Sequence, residues 1–530
     1  DAFVRSAGGE AASLEAIALG EAFAAVTARS DAQAKGRRRV QRVGVIGGGS
    51  AGYLTALALR RRHPHLQVTL VESSSIPVIG VGEATTPDLV EFLHRRLGVG
   101  ELEFYEAVSP TWKLGIRFLW GAPGGGAFHH PFTGEHVFEA VAHAHDQDLQ
   151  SLGAQLMKAD RAPFVREADG PVVPLLSTTA HAYHLDNARF VGFLRKLASR
   201  RGVEHVDCVV EEAVLGEDGR VKHLRAADGR TLAFDLYVDA TGFRSLLLQK
   251  ALGIPYQSYA SSLFCDAAVC GDVPNGGVIA PYTLAETMDA GWCWSIAQGG
   301  GNHRGYVFAT SHLSADAAEV EMRARNPGMG EARLVRFRSG RLERCWVGNV
   351  VGVGNAYAFV EPLESTALHM LVHEIGLLAD ALVDGQDVDR AAASMNDTLG
   401  AHWDVLRGFL ALHYRFNRRL DTPFWRDCRE KVDLASGAAM HAAFVEGAPL
   451  VARPDRKQLE RDLFRTGYFG LLGVDNVLLG QGVPARMLVP DPSRIAAFER
   501  WRAQTASRVE RALPQAEALP AYVARLRESR

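Results

Sequence analysis

The sequence predicts an α/β protein: a Rossmann-like, dinucleotide-binding β-α-β unit near the start, inserted strands and loops after it, and a mostly helical C-terminal lobe. Three observations predict this. An apolar run at residues 43–46 enters a turn carrying Gly47, Gly49 and Gly52, and an apolar pattern of helical period leaves it over 53–59. A second β-branched run, 67–71, ends in Glu72, twenty residues after Gly52. Beyond Val383 the apolar spacing is mainly helical to the end of the chain.

The turn carries the first chemistry. Its glycines let the backbone approach a pyrophosphate and let the helix pack close to the strand. Ser50 and Ala51 open that helix, whose free N–H groups and positive dipole end suit an anion. Glu72 stands where a carboxylate is expected to bind ribose.

Length and charge set the frame. A chain of 530 residues exceeds one compact core and divides into an extension (1–41), a dinucleotide-binding core (42–385) and a helical lobe (386–530). The net charge of −3 gives no global basic field for nucleic acid or membrane, so a small molecule or a local surface is the expected partner. Six cysteines lack CxxC spacing and histidine partners, which predicts reduced thiols, no metal site and a cytoplasmic protein. No run of about 18 uncharged apolar residues predicts a membrane span. The extension holds Leu14, Ile17, Phe23 and Val26 at loosely helical spacing, interrupted by Glu10, Glu15 and Glu21, and does not read as a signal peptide. It is expected to dock on a partner or to stand as a solvated helix and linker.

Further along, a Gly/Pro-punctuated loop over 76–87 opens a helix at 88–97, with Thr85 or Thr86 as cap and Pro87 in the first turn. Alternation over 112–118 predicts a strand with Lys113 on one face. An aromatic stretch, 128–132, follows, then a helix over 188–200 and a hairpin turned at 217–220. A strand over 232–240 runs into Thr241-Gly242, and further strands are expected over 263–270, around Trp292 to Ile296, and over 306–310. The stretch Glu361-Pro362-Leu363-Glu364-Ser365-Thr366 precedes a helix over 367–383.

Two of these side chains have alternative readings on their own. A lysine on an inward strand face needs a partner or a task, because burying an ammonium is costly; otherwise it snorkels to water. Glu364 is either an acid favoured at a helix N-terminus or a general base.

Four motifs in order resemble the flavin-dependent halogenases of the tryptophan-halogenase type: the turn at 47–52, the Lys113 strand, Gly291-Trp292-Cys293-Trp294-Ser295-Ile296, and Pro362-Leu363-Glu364-Ser365-Thr366. The stretch Asp239-Ala240-Thr241-Gly242 is shared with FAD monooxygenases more widely. The resemblance implies an FAD-binding monooxygenase/halogenase fold of the two-dinucleotide-binding type, and electrophilic chlorination of an indole, as in antibiotic biosynthesis. It implies FAD, used as FADH2, with O2 and chloride or bromide. Gly47, Gly49, Ser50, Ala51, Gly52, Glu72, Ala84, Thr85, Asp239 and Gly242 would bind the cofactor, and the amides of Thr366 and Ala367 the halide. Hypohalous acid formed at the flavin would pass to Lys113, with Glu364 as base and Ser365 orienting it. His130, Phe132 and Tyr468 would face the substrate, a tryptophan free or within a peptide, or another aromatic. A separate flavin reductase would supply FADH2, and a homodimer is one admissible assembly.

The chain departs from the family pattern in three places. Ala297 stands where the family has a proline after the paired tryptophans, which restores a backbone donor. Ala367 replaces a frequent glycine beside the halide. Val474-Asp475-Asn476 stands where free-tryptophan enzymes usually carry aromatic residues, which favours a larger or more open substrate site. The competing reading is a flavin monooxygenase that hydroxylates an aromatic substrate.

Overall fold

A computed structural model describes residues 40–76, 83–132, 150–167, 170–383, 387–464, 469–489 and 491–529. Residues 1–39 of the extension and Tyr468 lie outside the described residues. The opening motif forms as expected: strand Arg42–Ile46, a turn, and helix Ser50–Arg62. Gln67–Glu72 pairs with that strand in parallel. Both strands are buried beyond their first residue, which explains their continuous apolar character.

This pair sits in a six-stranded sheet ordered Glu204–Asp207, Gln67–Glu72, Arg42–Ile46, Leu236–Asp239, Val350–Gly352, Trp346–Val347. All its pairings are parallel except the last. A seven-stranded, mainly antiparallel sheet holds the paired tryptophans on Gly291–Gln298, next to Gly301–Phe308 and Thr283–Met288. That strand runs through Ala297, which pairs with Asn302, so the residue replacing proline continues the ladder.

One expected strand divides in two. Thr111–Lys113 joins a small sheet with Glu83–Ala84 and Ala182–Leu185, whereas Gly115–Leu119 joins the seven-stranded sheet beside Phe128–Pro131. Leu114 is the hinge, its N–H donating to Pro281 O and its carbonyl accepting from Phe132 N. Gly115 permits the crossing, since a Cβ there would lie 2.3 Å from His130 O. The lysine and the aromatic stretch thus belong to different sheets that meet at one point. The expected strand over 232–240 is likewise shorter, Leu236–Asp239, and that over 263–270 is shifted to Ala267–Val273.

The C-terminal half is helical, led by Thr366–Ala381 and the 29-residue Val388–Phe416. Its last helix, Gln515–Glu528, returns to the core. Gln515 accepts from Trp112 N at 2.8 Å and donates to Trp112 O at 2.7 Å, bracing the strand that carries Lys113 from behind.

Candidate active site

The glycine turn lines a cavity of about 500 Å³ with Glu72, Thr241, Gly242, Gly354 and Ala367. Side chains are excluded where the chain crosses: a Cβ at Gly48 would lie 1.5 Å from Glu72 Oε2, and one at Gly52 would lie 1.8 Å from Gly47 O. Gly47 itself has φ +126°, outside the range of ordinary residues. Gly48 is a requirement that the spacing argument missed. The Glu72 carboxylate is held by Tyr53 OH at 2.7 Å, His205 Nε2 at 2.8 Å and Arg195 Nη2 at 3.2 Å. Ser50 Oγ donates to Asn187 Oδ1 at 3.2 Å, and both residues line the cavity, as does Ala51. A glycine cradle closed to side chains, a helix N-terminus and a fixed carboxylate fit the pyrophosphate and ribose of FAD.

Three expected cofactor residues stand elsewhere. Asp239 is fully buried beneath the cavity wall. Its carboxylate accepts from Thr241 N and Oγ1 and from the amides of Leu247 and Leu248, so it shapes the 241–248 turn from below. Thr85 is also enclosed, exchanging hydrogen bonds with the backbone of Tyr183, and its carbonyl faces Lys113. Ala84 pairs with His184 in the same small sheet. In place of these two, Glu83 lines the cavity, and burial pushes its carboxyl up to about 7.

The second cluster forms around Lys113, which is wholly buried. Its Nζ donates to Ser365 Oγ at 2.6 Å and to Thr85 O at 3.0 Å, and lies 5.0 Å from the centre of the Phe132 ring. Burial brings its amine down from 10.5 to about 7, against the opposing pull of Glu364. A lysine so placed is half neutral near pH 7 and can act as a nucleophile.

Glu364 is enclosed between two imidazoles: His413 Nε2 at 2.8 Å and His130 Nδ1 at 3.0 Å. Burial alone would raise its carboxyl, but the histidines override that and hold it at about 2. Glu364 is therefore an ionised acceptor at every physiological pH. The ring of His130 lies beside Phe409 and Phe469, which stack on each other at 4.4 Å. His413 and Phe409, one turn apart on the long helix, escaped the sequence reading; the buried face of that helix was their only signal.

The loop 361–366 joins the two regions. Ser365 adopts φ 59°, ψ 35° and starts helix Thr366–Ala381. Ala367 faces the cofactor cavity, while Thr366 lies with Phe409 and Phe469 on the far side. The two amides expected to meet the halide thus stand in the wall between the two regions. Behind them Glu361 accepts from Trp292 Nε1 at 3.2 Å and Tyr414 OH at 2.7 Å, and burial raises its carboxyl to about 7. The first tryptophan of the pair is tied to the loop 361–366.

A two-region arrangement, with a dinucleotide cavity on one side of a loop and a buried lysine and carboxylate on the other, defines a flavin-dependent halogenase. The sequence model of the tryptophan halogenase family matches residues 42–490, and the chain belongs to that family. Its members are enzymes that use reduced FAD, O2 and a halide. The chain is 34% identical to tryptophan 6-halogenase ThaL of Streptomyces albogriseolus, over 74% of this chain and 79% of ThaL. It is 31% identical to tryptophan 7-halogenase RebH of Lentzea aerocolonigenes, over 78% and 85%. Among solved structures it is similar to MibH, a lanthipeptide tryptophan 5-halogenase, with 48% identity, a TM-score of 0.86, and 92% and 94% of the two chains covered.

Proposed function

We propose that the chain halogenates the indole ring of a tryptophan carried within a peptide, and that Lys113 delivers the halogen. The observation that carries the chemistry is the meeting of a buried lysine, a buried carboxylate and aromatic walls at one point. Bound FADH2, with O2 and halide, supplies hypohalous acid. The Lys113 amine takes up the halogen with release of water, and Ser365 and Thr85 fix its direction. The ring carbon then takes the halogen from nitrogen. The proton displaced from that carbon goes to Glu364, whose charge also steadies the cationic ring before the proton leaves. From Glu364 it returns to the lysine nitrogen, which restores the amine and balances the cycle.

Two features support a peptide substrate. The chain is more similar to the lanthipeptide enzyme than to ThaL or RebH. In addition, Val474, Asp475 and Asn476 stand where free-tryptophan enzymes usually carry aromatic residues, next to Gly473, where a Cβ would lie 2.8 Å from Phe469 Cβ. All three are buried, and Asp475 accepts from the amides of Leu450 and Val451. FADH2 comes from a separate flavin reductase. All six cysteines are free and buried, in keeping with the cytoplasm. Among the described residues no helix is long and apolar enough to cross a membrane.

The test supplies the protein with FAD, a flavin reductase, NADH and chloride or bromide, and offers free tryptophan and a tryptophan-containing peptide separately. The chlorine or bromine isotope pattern should appear on the peptide in preference. Preference for the free amino acid would reject the peptide reading, and halide-independent gain of oxygen would favour a monooxygenase.

A further inference from the structure

A second pocket of about 190 Å³ adjoins the cofactor cavity across the turn Gly354–Ala356, and the two share Phe243 and Asn355 as walls. Aromatic rings line it: Phe359 meets Phe243 and Phe337 edge to face at 4.9 and 5.2 Å, and Tyr256 closes one side. At its rim stand Arg336 and Arg338. The guanidinium carbon of Arg338 lies 4.5 Å from the centre of the Tyr256 ring, and its Nη2 reaches Gln249 Oε1 at 3.4 Å. Arg336 makes no side-chain hydrogen bond or ion pair among the described residues, and no carboxylate lines the pocket.

Arginines without a carboxylate partner, beside a cluster of aromatic rings, recognise a planar aromatic group that carries negative charge. We infer that this pocket is a staging site for the ring of reduced flavin, on its way from solution into the adjoining cavity. The inference rests on the halogenase reading, which requires FADH2 to arrive preformed. At neutral pH the reduced ring bears a negative charge that the oxidised ring lacks, whereas both forms carry the same pyrophosphate. The pocket therefore favours the reduced form, and Phe243 and Asn355, which line both spaces, set it directly beside the cavity where the nucleotide half settles on the glycine turn.

The test is anaerobic stopped-flow binding of chemically reduced FAD and, separately, of oxidised FAD, to the full chain and to an Arg336→Ala/Arg338→Ala double variant. Both arginines are exposed, and matched thermal midpoints confirm that the variant folds. The association rate for reduced FAD should fall about tenfold while that for oxidised FAD stays within about twofold, with the larger effect fading at high salt. An Arg336→Lys/Arg338→Lys variant, which keeps the charge, should recover much of the difference. An equal fall for both redox forms would assign the arginines to general steering of the pyrophosphate and overturn the inference, as would no fall for either. Halide-dependent product formation by the unaltered chain with chemically reduced FAD, measured alongside, tests the halogenase reading by itself.

Discussion

Replacing Lys113 by methionine should abolish halogenation and make the protein more stable. The lysine is fully buried, and its amine stands at about 7 in place of 10.5. That difference corresponds to roughly 5 kcal/mol by which folding disfavours the charged form. Methionine of similar length removes this cost but leaves Ser365 Oγ and Thr85 O without their donor, a loss of about 1–3 kcal/mol. A net gain of about 2 kcal/mol at pH 7 follows. The sign reverses the usual expectation for a lysine that gains a partner. Between pH 7 and 10.5 the unfolded amine holds a proton that the folded one has released, so stability rises with pH across that window. The advantage of methionine is full below about 7 and fades as pH approaches 10.5. Urea unfolding of both proteins at pH 7 and pH 10 measures it, with FAD binding followed by fluorescence as a check on the fold. A less stable variant at pH 7, a gain that does not shrink at pH 10, or retained halogenation would refute the reasoning.

Four other perturbations read separate parts of the structure. Glu364→Gln should lower turnover by about 10²-fold or more while FAD still binds, because proton removal loses its acceptor; single-turnover product analysis checks it. Since Glu364 ionises near 2 and Lys113 near 7, halogenation by the unaltered enzyme should rise with pH through about 7, whereas a falling limb there would indicate that the ammonium is the working form. Gly48→Ala should abolish FAD binding without reaching the lysine region, since its Cβ would enter the Glu72 carboxylate; fluorescence titration decides this. Gln515→Ala should cost about 1–3 kcal/mol by leaving both backbone groups of Trp112 unpaired, and denaturant unfolding reads it.

The parts legible in the sequence were those fixed by local chemistry. The glycine turn, Glu72 and the helical C-terminal half follow from spacing and period, because backbone clearance and burial act over a few residues. Family resemblance added Lys113, Glu364 and the paired tryptophans, and the structure brings the first two to one site. What spacing could not show was contact across the chain. The strand around Lys113 divides at Leu114 because two sheets compete for it. His413 lies 49 residues from Glu364, and Gln515 lies 403 from Trp112. Asp239 read as a cofactor residue because its stretch, 239–242, is shared with FAD monooxygenases; here four donors from its own loop satisfy it. Thr85 read as a helix cap or cofactor residue, and its carbonyl instead holds the lysine.

The central claim is that halogen reaches an indole by way of Lys113, with the proton removed by Glu364. Its most direct test is a single turnover with chemically reduced FAD, O2, bromide and a tryptophan-containing peptide, run on the unaltered protein and on Lys113→Met, and read by mass spectrometry for brominated peptide and for free hypobromous acid trapped by a soluble scavenger. The unaltered enzyme should place bromine on the peptide, and the variant should yield only the trapped oxidant. Equal bromination of the peptide by both proteins would contradict the account.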